Sequence, residues 1–256
     1  MSRDSMGVGL RTVCFDAFKM RVAYFDDDIE LVDILRNAIM SGDLTEAESK
    51  YVLKGLEPNK HPHLSRRKNS NGGRELIANH LRQTIYASYI KDIYEEVTEY
   101  LRVAMKLASE RGLNSARLIG EHGFKVDARN LLELGNWDKV LSLVTETVFQ
   151  NLEAERSTLR LLEKVASKLA LDVDKNLITS ALPYLEVRHF LVHTDGKVTS
   201  EFKAAHPHIK VNRERYVRLS LDFVADFRDA VVKLITDFDR AIIAADLLAP
   251  EHCRGQ

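Results

Sequence analysis

Four residues able to do chemistry lie close together in the stretch YLEVRHFLVHTDGKV, Tyr184 to Val198: Glu186, Arg188, His189 and His193. Histidine titrates near neutral pH and can give or take a proton. Arginine stays charged and grips phosphate oxygens through its planar fork. A metal offers a second use of the same residues. His189 and His193 stand at i, i+4 with Glu186 on the same face, which is a passable half-site. That half-site lacks the glutamate directly after the first histidine of a zinc-protease helix, and His206 or His208 in AAHPHIK would have to supply a third ligand.

These side chains need a helix to position them. Glu186, His189 and His193 fall at i, i+3 and i+7, on one face. Arg188 points about 140° away from His193 on an ideal helix. The two share a site only if the helix deforms, if the long arginine side chain wraps round, or if a second copy of the chain supplies the partner. Thr194-Asp195-Gly196 predicts that the helix stops just after His193 and leaves it at an accessible end.

The wider chain reads as helical. Its 256 residues are 45% hydrophobic, ample for a core, and its 12 glycines and 5 prolines are few and clustered. Apolar residues recur at helical spacing from Leu10 to Ile39, and again from Glu75 to Arg111 in steps of mostly four. Thr45-Glu46-Ala47-Glu48 matches a capping box and predicts a short helix over 46–56. Short pieces are expected around Ser115 to Glu121 and Asp127 to Leu134. Long helices are expected over 137–169, from Asp174 onward with a kink or restart at Pro183, and over 217–248. Residues 195–215 read as irregular with a small hairpin-like excursion. Trp137, Tyr86 and Tyr89 sit on apolar stripes and read as core. The fold class is all-α: a bundle of long antiparallel helices with short connecting helices.

Charge and composition exclude some functions. A formal net charge of −1 gives no global attraction to nucleic acid or anionic membrane, so such binding needs local patches. One basic island holds Lys60, Arg66, Arg67, Lys68 and Arg74, with His61 and His63, inside a stretch that reads as an exposed mobile loop. A second, HIKVNRERYVR, holds Lys210, Arg213, Arg215 and Arg218 beside Tyr216, and it follows the motif closely enough to be the better candidate for RNA contact. Cys14 and Cys253, near opposite ends, make neither a disulfide framework nor a zinc ribbon, so a reducing, cytoplasmic setting is expected. No apolar run is long enough to span a bilayer, and the first residues do not have the pattern of a signal peptide. Gly7-Val8-Gly9 lacks the context of a dinucleotide fingerprint.

RHFLVH fits R-x4-6-H with a polar residue, His189, directly after the arginine. Together with Glu186 before it and Gly196-Lys197-Val198 and Phe202 after it, the segment resembles the HEPN superfamily, and within it the larger families related to ribonuclease toxins. The close likeness covers about 20 residues around Arg188. A compatible helical layout extends it loosely over Glu75 to Leu248. The resemblance implies a metal-independent endoribonuclease in a toxin or antiviral defence setting, usually with a site assembled across a homodimer, with no cofactor, and with an antitoxin or defence protein as a further partner. It makes His193 the general acid/base and Arg188 the phosphate clamp. His189 takes the place of a polar positioning residue, and Glu186 is placed to orient His189 or His193 or to pair with Arg188. The expected organisation is a helical segment or subdomain over 1–56, a basic flexible loop over 57–74 and an HEPN-like domain over 75–248. The alternatives are a catalytically silent module that docks a partner protein and, behind it, a metal-dependent hydrolase.

Overall fold

The computed structural model describes residues 9–120, 127–155 and 157–255; Gly7 and Val8 of the glycine pair, Glu121 and Gly123 lie outside them. The described chain is all-α, with long helices, short connecting ones and one very small sheet. The first helix, α1, spans Val13–Ser41, and the second, α2, spans Asn71–Glu110. They pack along each other. The stripe read from α1 faces inward: Phe18, Val22, Ile29, Val32 and Ile39 are buried. Phe18, Val22, Ile29 and Val32 share one core with Tyr86, Ile90, Ile93, Leu101 and Met105 of α2. Trp137 departs from expectation. It opens helix α5, Trp137–Glu153, and is 72% exposed; the buried positions of that helix begin only at Thr145.

One expected helix is absent and others change their limits, the last shortening from 217–248 to Leu221–Ala244. The residues of 46–56 form turns and no helix. The Thr45 hydroxyl, required as a cap, donates instead to the carbonyl of Val52 at 2.9 Å, which folds the segment back on itself. The second long helix starts earlier than its apolar stripe: Ser70 caps it by accepting from Gly73 N, so Asn71-Gly72-Gly73-Arg74 join its first turn. The span 137–169 is two helices, α5 at Trp137–Glu153 and α6 at Thr158–Leu169, with Ser157 capping α6 through Arg160 N. Between α2 and α5 lie the short α3, Ser115–Ile119, and α4, Ala128–Leu134.

The remaining elements surround the motif. Helix α7 spans Lys175–His193, α8 Ser200–Ala205 and α9 Leu221–Ala244. Pro183 lies inside α7 without ending it. Proline removes one ladder hydrogen bond. Here the helix is held on both sides of it by the buried Ala181, Leu185 and Val187, and α7 packs against both α2 and α9. Tertiary burial outweighs the local penalty.

The sheet joins distant parts of the chain. Strand β1, Leu10–Thr12, pairs antiparallel with β2, Cys253–Gly255, setting Thr12 opposite Cys253. Both cysteines are free. Burial pushes the Cys14 thiol up to about 11. The clasp centres on Asp239 of α9, a buried carboxylate that accepts from Thr12 N at 3.2 Å, from the Thr12 hydroxyl and from Tyr100 Oη at 3.1 Å. Burial raises the Asp239 carboxyl above its ordinary value, and the Thr12 and Tyr100 bonds oppose that rise. Thr12→Val keeps the shape but removes one donor to this carboxylate together with the hydroxyl that caps α1 at Phe15 N, so urea denaturation should show a loss of roughly 1.5–3 kcal/mol. A change within about 0.5 kcal/mol, the range of an ordinary surface substitution, would show that the clasp carries little of the stability.

Candidate functional site

Helix α7 is fixed at both ends. At its start Asp174 caps Asn176 N at 2.8 Å, while Asp174 N donates to the buried Asp237 of α9 at 2.7 Å. At its other end the Phe190 carbonyl accepts from Thr194 N at 3.0 Å, Gly196 N at 2.8 Å and the Thr194 hydroxyl at 2.9 Å. The reversal needs positive φ at Asp195 (53°) and Gly196 (85°). Gly196 is buried there, and a Cβ would come within 3.3 Å of the Leu191 side chain. The helix therefore stops at His193, as the Thr-Asp-Gly sequence predicts.

The turn then delivers two further pieces. Val198 N donates to the Arg215 carbonyl and Val217 N to the Gly196 carbonyl, both at 3.0 Å, which ties the helix end to the second basic island. Bridges Lys197–Tyr216 and Val211–Val217 make this the small hairpin-like excursion. Tyr216 is part of that pairing. Helix α8 packs back on α7 through Phe202, whose ring centroid is 4.8 Å from that of Phe190.

One cleft of about 890 Å³ receives Glu186, Arg188, His189 and His193 together. His189 and His193 are exposed, with ring centroids 4.5 Å apart. Arg188 is half-buried, its guanidinium carbon 4.8 Å from the centroid of the Tyr94 ring of α2. The helix is regular as far as His193, so the reach of the arginine, without any distortion, brings it to the same cleft within one chain. Apart from the aromatic face, Arg188 has no hydrogen bond or ion pair among the described residues, and its buried Nε is unpartnered. A cation over an aromatic face gains about 0.5–2 kcal/mol, which holds it without neutralising it.

Glu186 Oε2 stands 4.0 Å from Nε2 of His206, beyond hydrogen-bond distance. Burial raises the Glu186 carboxyl above its ordinary value and lowers the His206 imidazole, His208 adding to the latter effect. Both shifts favour neutral forms. His189 is also lowered, by desolvation first and then by His193 and Arg188. No three His, Cys, Asp or Glu side chains among the described residues are grouped to hold a metal.

The cleft contains residues that sequence spacing did not indicate. Glu153, Glu155 and Thr158 come from the α5–α6 break, Glu201 from the start of α8, and Tyr94 from α2. Only the break between α5 and α6 could have pointed to the first three, and their apolar stripes run on without a proline or glycine. Lys210, Arg213, Arg215 and Arg218 do not line the cleft. Arg215 Nη1 donates to Ser200 Oγ at 2.7 Å and so secures α8, while Lys210, Arg213 and Arg218 are exposed. No helix among the described residues is long and apolar enough to cross a membrane.

No family model, curated protein or solved structure matches the chain.

The electrostatics of the histidine pair can be read directly. In a proton NMR titration His189 should titrate below the ordinary histidine value of about 6.5. His193→Ala should raise it by removing a neighbouring positive charge. A His189 value at or above the ordinary one, unmoved in the variant, would contradict the arrangement.

Proposed function

We propose that the protein is a metal-independent endoribonuclease of HEPN type. The observation that carries this reading is the unpaired Arg188 guanidinium lining one cleft with His189 and His193. RNA cleavage by its own 2′-hydroxyl needs a base for that proton, an acid for the leaving 5′-oxygen and a cation for the charge on phosphorus. His193, exposed at the helix end, does the proton work. Arg188 holds the phosphate through its fork, steadied from behind by Tyr94. His189, kept toward its neutral form, accepts or donates a hydrogen bond beside them. In this reading the exposed Lys210, Arg213 and Arg218 meet the strand outside the cleft, and Arg215 supports α8.

The toxin or defence setting, a neutralising partner and a homodimer belong to the same proposal and rest on the sequence resemblance. Because both groups line the cleft of one chain, each copy in a dimer carries its own pair. A mixed dimer of an Arg188→Ala chain with a His193→Ala chain should then be inactive, and restored cleavage would instead require a site shared between chains.

One observation favours a second reading. Glu153, Glu155, Glu186 and Glu201 line the cleft, and Lys164 is paired with Glu155. An acidic wall suits a basic segment of a partner protein, and the chain would then be a catalytically silent docking module. Variants separate the two. Arg188→Ala and His193→Ala should each reduce RNA cleavage at least a hundredfold, the usual contribution of a positioned acid–base or electrostatic group. Their helical circular dichroism should stay intact. Arg188→Lys should also be severely impaired, since a point charge does not reproduce the fork. Wild-type protein that cuts no RNA, or variants that cut as well as wild type, would leave the docking reading.

A further inference from the structure

A second basic feature lies outside the cleft. Residues 46–56 read as a capped helix and 57–74 as a mobile loop, but in the structure parts of the two stretches form a groove. Tyr51 bridges to Lys68, and Asn69 N donates to the Lys50 carbonyl at 3.1 Å. The Asn69 amide donates to the carbonyls of Ser49 at 2.9 Å and Glu46 at 3.2 Å, and Arg74 Nη1 returns to Asn69 Oδ1 at 2.9 Å. Val52 is fully buried within the turn. Gly73 completes the junction, because a Cβ there would collide with the Lys68 carbonyl oxygen. The groove so formed measures about 510 Å³, and its lining carries Lys50, Arg66, Arg67 and Lys68 with no acidic side chain.

These four cations come from two separated stretches, so sequence alone shows only three of them as an island. All four are exposed, and among the described residues none forms an ion pair. Lys50 Nζ stands 5.0 Å from the centroid of the Tyr51 ring, which leaves its charge unneutralised. Four like charges gathered in one groove repel each other, and a fold that holds them without counter-charges is stabilised by an anion. Three of the cations follow one another along the chain beside an aromatic ring. That arrangement suits a line of phosphates with bases able to stack, more than one small anion.

We propose that this groove binds consecutive phosphates of single-stranded RNA, as a contact separate from the cleft. The choice of RNA over other phosphate strands rests on the nuclease reading; the phosphate chemistry does not. The site would hold the strand while the cleft acts on it, raising affinity without taking part in bond cleavage.

The test uses a fluorescent single-stranded RNA with 2′-O-methyl sugars, which cannot be cut, and the full chain. Anisotropy titrations at several salt concentrations compare wild type with Arg66→Gln/Arg67→Gln/Lys68→Gln. Each phosphate neutralised on a single strand contributes about 0.7 to the slope of log affinity against log salt, so removing three contacts should flatten it by about 2. Affinity near 0.1 M salt should fall at least tenfold, with circular dichroism and melting as in wild type. Pyrophosphate is titrated as a small-anion control. Equal affinity and equal slope in both proteins would overturn the proposal. Tight pyrophosphate binding that the triple variant loses, with RNA affinity unchanged, would overturn it in favour of a small-anion site. An RNA that binds as expected but is never cut in its natural form would sink the nuclease reading and leave the groove standing. Cutting with binding unaffected by the triple variant would do the reverse.

Discussion

The reversal of the chain after His193 is the constraint on which the site depends. Three donors converge on the Phe190 carbonyl, and Asp195 and Gly196 take the left-handed backbone that an uninterrupted helix forbids. Were α7 one turn longer, His193 would sit within a helix flank, and α8 would not reach back to set Phe202 against Phe190. The same turn brings 196–198 into register with 215–217. A single helix stop thus exposes one histidine, closes one wall of the cleft and positions a basic loop.

The charge arrangement in the cleft is uneven in a way that folding alone does not require. Four carboxylates line it, and Arg188 is paired with none of them. A charge-assisted hydrogen bond would contribute about 1.5–3 kcal/mol, so the fold forgoes that gain at Arg188. Glu155 takes Lys164 instead, and Glu186 faces His206. Burial and charge move Glu186, His206 and His189 each toward the neutral form. The result is a site in which the guanidinium keeps its full charge beside groups that can exchange protons, an arrangement suited to a ligand that brings its own negative charge.

Much of the fold was legible from spacing, because the buried stripes of α1 and α2 repeat at the helical period over many turns. The end of α7 was legible too, since Thr-Asp-Gly is a strong local signal. Other features were hidden for identifiable reasons. Thr45 resembles a cap, but its hydroxyl reaches Val52. Pro183 reads as a break, but burial between α2 and α9 carries the helix through it. The α5–α6 break has no glycine or proline to mark it, so Glu153 and Glu155 could not be assigned to the cleft. Trp137 reads as core from its place on an apolar stripe, whereas the helix start leaves it in solvent. Of the site itself, the four motif residues were visible as a cluster. Tyr94 behind Arg188 was not, because only tertiary packing brings α2 beside α7.

In the proposed reaction Arg188 supplies the positive charge, histidine moves the protons, and the substrate provides its own nucleophile. This is tested most directly by incubating purified protein with RNA in excess EDTA and identifying the new ends. Cleavage should be undiminished by EDTA, with a 2′,3′-cyclic phosphate on one product and a 5′-hydroxyl on the other. Cleavage that stops in EDTA, returns with a transition metal and leaves a 5′-phosphate would contradict it.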